Sequence, residues 1–148
     1  MRLKLQTDYG LRVLIFLAHA DRLATVEEIA TAFGISRHHL LKVANALSRQ
    51  GWIQTVRGRG GGILLKADPA ILDVGDVVGR LEGRNGVLEC VEAPDVCRLE
   101  PGCRLRRRLM VAERAFYDAL HGTTLADLVR RPGADHGLTT LVDGSASN

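Results

Sequence analysis

TVEEIATAFGISRHHLLKVANALSRQGWIQTVRGRGGGILLK, residues 25–66, opens on Thr25-Val-Glu-Glu28. This is a capping box: the Thr25 hydroxyl can take one orphan N–H of a helix start while Glu28 reaches back to another. It predicts a short helix from Val26 to Phe33, stopped by Gly34. Ser36 then caps a second helix running to about Gln50, with Leu40, Val43, Ala44 and Leu47 on its buried stripe. Two short helices across a glycine-containing turn form a helix-turn-helix. The outer face of the second helix carries Arg37, His38, His39, Lys42, Asn45 and Arg49, hydrogen-bond donors where such a helix meets the major groove.

The same stretch ends in two β-prone runs, Gly51–Arg57 and Ile63–Lys66, around Gly58-Arg59-Gly60-Gly61-Gly62. Glycines between β-prone runs predict a hairpin, here a wing with Arg57 and Arg59 near its tip. It is not a phosphate loop, because no Gly-Lys-Ser/Thr follows. Beside a helix-turn-helix, arginines at a hairpin tip suit phosphates or the minor groove. The expected DNA contacts are therefore Ser36, Arg37, His38, His39 and Lys42 on the helix, with Arg57 and Arg59 in the wing.

Upstream, Thr7 is read as the N-cap of a first helix through Ala20, with Asp8 in its first turn and Leu11, Leu14, Ile15 and Ala18 on one stripe. Downstream, Pro69 separates the winged helix-turn-helix from the rest, and Val74–Leu81 reads as a short helix. A longer helix from Cys103 to about Leu120 carries Leu105, Leu109, Ala112, Phe116 and Leu120. Its apolar face exceeds what a small domain covers, so it is read as a dimerisation helix. Leu125–Arg131 reads as a last turn or two of helix, and 132–148, rich in Gly, Ser and Asp, as a disordered tail. The organisation is a DNA-binding domain over 1–68, a cysteine loop with dimerisation helix over 69–131, and the tail. The fold class is mainly α with a small β-hairpin wing.

The chain has 148 residues, enough for one main core. Residues 1–66 hold 10 Lys/Arg against 4 Asp/Glu, and 67–148 hold 10 against 13, so a basic half that suits a polyanion joins a mildly acidic one. No stretch approaches ~18 consecutive apolar residues, the length of a membrane span. The start, MRLKLQTDYG, lacks a signal peptide's apolar core, so a cytoplasmic protein is expected. No enzyme motif is present, and the five histidines show no catalytic or metal-binding spacing in sequence.

All three cysteines lie in Cys90-Val-Glu-Ala-Pro-Asp-Val-Cys97-Arg-Leu-Glu-Pro-Gly-Cys103. Buried structural thiols conflict with this polar, Pro- and Gly-containing composition, and a disulfide with a leftover thiol suits a secreted protein. Structural zinc favours C-x2-C knuckles, whereas the spacing here is C-x6-C-x5-C. Such wide spacing fits an iron–sulfur cluster better, because its ligands wrap a larger object. Arg98, Arg104 and Arg106–Arg108 nearby either offset a cluster's negative charge or form a solvated helix face. A zinc-stabilised or thiol-redox interaction module is the competing reading from a different class.

Thr7-Asp-Tyr-Gly-Leu-Arg12, Val56-Arg-Gly-Arg-Gly-Gly-Gly62, Asp76-Val-Val78, the three cysteines with Cys103-Arg-Leu105, and Leu125-Ala-Asp-Leu-Val129 together resemble the Rrf-type winged-helix iron–sulfur transcription regulators, the NsrR/IscR/RirA family. The resemblance covers about residues 1–130. The IscR-like pattern places histidine where this chain has Arg106, and guanidinium is not a metal ligand. RirA-like members tend to asparagine where this chain has Asp8, so the similarity is greatest to the NsrR-like branch.

That resemblance implies a homodimeric repressor on a palindromic DNA operator, sensing nitric oxide through a 4Fe–4S cluster, with 2Fe–2S as the alternative. It implies Cys90, Cys97 and Cys103 as ligands, completed by Asp8 from the partner subunit, with Arg12 a possible supporting residue for that carboxylate. An iron- or redox-sensing regulator of the same fold is the alternative within the family.

Overall fold

The computed structural model describes residues 2–83, 87–93, 97–99, 102–129 and 142. Its order is α1 (Leu5–Ala20), α2 (Val26–Phe33), α3 (Arg37–Arg49), β1 (Ile53–Val56), β2 (Gly62–Leu65), α4 (Val74–Glu82), α5 (Glu89–Glu92), α6 (Arg104–Asp118) and α7 (Leu125–Val129). The expected fold class holds: mainly helical with one antiparallel hairpin.

Local signals place the helix-turn-helix where the sequence put it. Thr25 Oγ1 accepts the Glu28 N–H at 3.0 Å, and Ser36 Oγ accepts that of His39 at 3.3 Å. Glu28 turns mainly to Arg22, whose guanidinium lies 2.6 Å away and holds its carboxyl below the usual range, with a smaller contribution from the Thr25 N–H. Between α2 and α3, Gly34 is the αL C-cap.

In the hairpin, Ile53 pairs with Leu65 and Val56 with Gly62, leaving Arg57–Gly61 as the loop. Gly58 and Gly60 take φ of 103° and 76°, a region closed to most side chains, so the glycines set the wing's shape. On the other edge of β2, Ala24 exchanges both backbone hydrogen bonds with Ile63, at 2.9 and 2.7 Å.

The start of α1 differs from expectation. Its N-cap is Lys4, without a side-chain cap, and Thr7 lies fully buried inside the first turn. A threonine before a helical pattern signals a cap, but here the buried positions Thr7, Gly10, Val13, Leu14, Phe16 and Leu17 turn inward. Helices α2, α3, α4 and α7 all pack on α1. The face they cover is offset from the expected stripe, so Leu11, Ile15 and Ala18 are only half-buried.

One core runs from α1–α3 and the hairpin through Val77 and Leu81 of α4 to Leu125 of α7, across the expected division at residue 68. Of the expected tail only Val142 is described; it is buried in that core and its carbonyl accepts from Arg22. The rest of the tail, and Arg130–Arg131 of the last expected helix, lie outside the described residues.

The last long helix, α6, has no buried residue. Leu109, Phe116 and Leu120 are half-buried, and α6 packs on α4 and α5. Leu105, Ala112, Met110 and Val111 are exposed, the last at 60%.

Candidate nucleic-acid interface and metal centre

On α3 the apolar stripe Leu40, Val43, Ala44 and Leu47 is buried, and Arg37, His38, His39, Lys42, Asn45 and Arg49 are exposed, as expected. The Ser36 cap fixes the first turn, so Arg37 to His39 leave a defined helix start. Arg37 Nε meets Glu27 of α2 at 2.9 Å, with both side chains largely exposed. Tyr9 of α1 lies 6.3 Å from the His39 ring, centroid to centroid. A groove lined by Asn45, Ser48, Gln54, Thr55, Arg57 and Lys66 runs between α3 and the hairpin. Arg57 and Arg59 are exposed at the wing's loop. Helix face, groove and wing make one continuous surface rich in donors.

The cysteines occupy a separate region. Cys90 lies in α5, Cys97 follows it, and Cys103 is the N-cap of α6, its sulfur accepting the Arg106 N–H at 3.5 Å. All three are half-buried thiols outside any disulfide. Arg106 also donates from Nε to the Cys90 carbonyl, so one side chain ties α5 to the start of α6. The position at which IscR-like sequences place histidine is thus a strut here.

No acidic residue lies in the first turn of α6, while Arg104, Arg107 and Arg108 are exposed around it. The partial positive charge of a helix N-terminus adds to theirs. Among the described residues, no trio of donor atoms within 4.8 Å of one another includes a cysteine or Asp8. A single tetrahedral ion needs such convergence; an iron–sulfur cluster, with metals at several corners, does not. Three thiols outside any disulfide are the donor type that iron–sulfur clusters take.

Asp8 is half-exposed in the first turn of α1, and Arg12 Nε grips its Oδ1 at 2.9 Å. Arg12 also lies over the Phe33 ring, 5.9 Å from its centroid. Among the described residues, no donor trio joins Asp8 to a cysteine.

The described donor trio that does converge is Asp73, Asp76 and His121, which sequence spacing did not reveal. Asp73 caps α4, accepting from the N–H groups of Asp76 at 3.0 Å and Gly122 at 2.7 Å, and meets His121 Nδ1 at 2.8 Å. Burial alone would raise its carboxyl, but these hydrogen bonds together hold it below the usual aspartate range. Its oxygens are committed to joining α4 to the turn after α6.

Read together, a donor-rich winged helix and a cysteine region at the head of a long exposed helix match a known arrangement. The Rrf2 family profile, described as "Iron-dependent Transcriptional regulator", matches residues 3–131. The chain belongs to the Rrf2 family. It is 42% identical over 134 residues to the "HTH-type transcriptional regulator NsrR" of Bacillus subtilis (strain 168), covering 88% of this chain and 91% of that protein.

Among solved structures it is similar to CymR (YrzC), the global cysteine regulator of B. subtilis, with 26% identity, a TM-score of 0.69 and coverage of 87% and 96% of the two chains. Similarity to IscR of T. potens, at 22% identity, a TM-score of 0.68 and coverage of 87% and 86%, concerns the fold alone. As an Rrf2 protein the chain is a transcription regulator and not an enzyme. No described helix is long and apolar enough to cross a membrane.

Proposed function

We propose that this Rrf2 regulator is a cytoplasmic homodimeric repressor that binds a palindromic operator and senses nitric oxide through an iron–sulfur cluster. Cys90, Cys97 and Cys103 of one subunit and Asp8 of the partner subunit hold the cluster. A 4Fe–4S cluster has a corner for each of these four ligands, and 2Fe–2S is the alternative.

The observation that carries this reading is Cys103 at the N-terminus of α6, with exposed arginines around it and two more half-buried thiols nearby. Thiolate-ligated clusters carry net negative charge, and Arg104, Arg107 and Arg108 with the helix N-terminus place positive charge at this site. The half-exposed Asp8 supports a ligand given to a second subunit, and Leu105, Met110 and Val111 support α6 as the dimer contact.

The bound cluster supplies an iron that nitric oxide can reach, and a carboxylate is the weakest of the four ligands. The chain's own residues transmit the change. Arg12 orients the Asp8 carboxylate, and Tyr9, next along α1, lies against His39 of the recognition helix. A tether between Asp8 and the other subunit's cysteines fixes the relative placement of the two recognition helices; without it they match the two operator half-sites less well.

The DNA face makes its own prediction. Arg59→Ala should weaken binding to a random-sequence duplex and lower the salt slope by about 1, as expected for one lost phosphate contact. Fluorescence anisotropy over a salt series measures both, and an unchanged affinity and slope would remove the wing from the interface.

The cluster is tested by anaerobic purification, iron and sulfide analysis, and titration with nitric oxide. Iron and sulfide in equal amounts, with a visible band bleached by nitric oxide, are expected. Zinc alone, or no metal, would refute the sensor. A band indifferent to nitric oxide but lost to an iron chelator would instead make this an iron sensor, a reading that the family's description as iron-dependent favours.

A further inference from the structure

Glu82 is the one charged side chain buried among the described residues, at 8% exposure. A buried carboxylate persists only where well-aimed hydrogen bonds hold it. Glu82 ends α4, and Gly83, at φ 72°, turns the chain towards the cysteine segment. Its Oε1 accepts the backbone N–H of Lys4 at 2.9 Å, and its carbonyl accepts from Lys4 Nζ. Lys4 is the N-cap of α1, and its own carbonyl accepts the N–H groups of Thr7 at 2.9 Å and Asp8 at 3.1 Å. One residue is therefore gripped by Glu82 and in turn holds the amide of Asp8. Tyr117 of α6 faces the same junction: burial pushes its phenol up, and the charges of Glu113 and Glu82 add to that.

We infer that Glu82 is a positioning residue that clamps the first turn of α1, and with it Asp8, to the start of the cysteine segment. The inference rests on Asp8 being a cluster ligand. With Asp8 exchanged between subunits, the clamp acquires a second effect. Each subunit's Glu82 then fixes the Asp8 given to the other subunit's cluster.

The test uses the full chain with Glu82→Ala, Glu82→Gln, Lys4→Pro and Asp8→Ala. Glutamine keeps an oxygen that can accept the Lys4 N–H, so it should restore the clamp. Proline removes the donor instead, at a position whose φ of −62° proline adopts without strain. It also leaves Glu82 in place should Glu82→Ala fail to fold.

In cluster-free protein, amide exchange in the first turn of α1 should rise about tenfold in Glu82→Ala and Lys4→Pro, and little in Glu82→Gln. In loaded protein, release of iron to a ferrous chelator should quicken in the same order. Unchanged first-turn exchange in both Glu82→Ala and Lys4→Pro overturns the clamp, as does exchange raised equally by Glu82→Gln. If Asp8→Ala releases iron no faster than the natural protein, the ligand reading fails, while the exchange result still decides the clamp.

Discussion

Replacing Cys103 by serine is expected to bring iron to background while leaving α6 and the winged helix folded. The sulfur of Cys103 caps α6, and it is one of three thiols proposed to hold the cluster. Serine separates them. It is among the best N-capping residues, and its hydroxyl can replace the 3.5 Å bond from Arg106 with a shorter one. It cannot supply the thiolate that iron prefers.

Cluster-free Cys103→Ser protein should therefore unfold at the same temperature as cluster-free natural protein, or slightly higher. Iron analysis and thermal unfolding on matched samples check both halves. Natural iron content in the variant would remove Cys103 from the ligand set, and a lower unfolding temperature would remove it as the cap. Asp8→Ala, which leaves all three thiols, should give a weaker defect, with iron bound but lost sooner.

The largest expected loss of stability comes from Leu47→Ala. Leu47 is fully buried on the inner face of the recognition helix and belongs to the core that α3 shares with α1. Removing a leucine side chain from such a site costs about 2–5 kcal/mol, against a total of about 5–15 kcal/mol for a domain. Urea unfolding at fixed protein concentration, which keeps dimer mass action constant, measures it. DNA affinity should fall too, although Leu47 lies on the face away from DNA, because the helix that presents His39 and Lys42 loses its anchor. A loss below about 1 kcal/mol would mean that the neighbours close over the site and α3 is anchored elsewhere.

The winged helix was legible because its signals are local. Thr25, Ser36 and Gly34 each act within a turn of their own position, and the glycines of 58–62 shape the loop they sit in. The apolar periodicity placed the start of α6 within a residue, although the Cys103 cap was not read from the sequence. Cap chemistry misplaced the start of α1. Thr7 has the chemistry of a cap, and only the helices packed around α1 show that it faces inward.

Glu82 carried one faint mark, a carboxylate directly after the apolar positions Val74, Val77, Val78 and Leu81 of its helix, but its partner Lys4 is 78 residues away. His121 carried none; Asp73 is 48 residues distant.

By itself, then, the sequence determined the longer helices, the caps of α2 and α3, the wing and the cysteine spacing, though not the cap of α1 or the short α5, because capping, periodicity and turn chemistry act over a few residues. Only the tertiary structure decided that α1 is the central helix, that Arg106 ties Cys90 to Cys103, and that Lys4 and Glu82 join the start of α1 to the start of the cysteine segment. Those contacts depend on where α4, α5 and α6 come to rest, which is set by burial of a shared core, and burial leaves no fixed spacing between its partners in the chain.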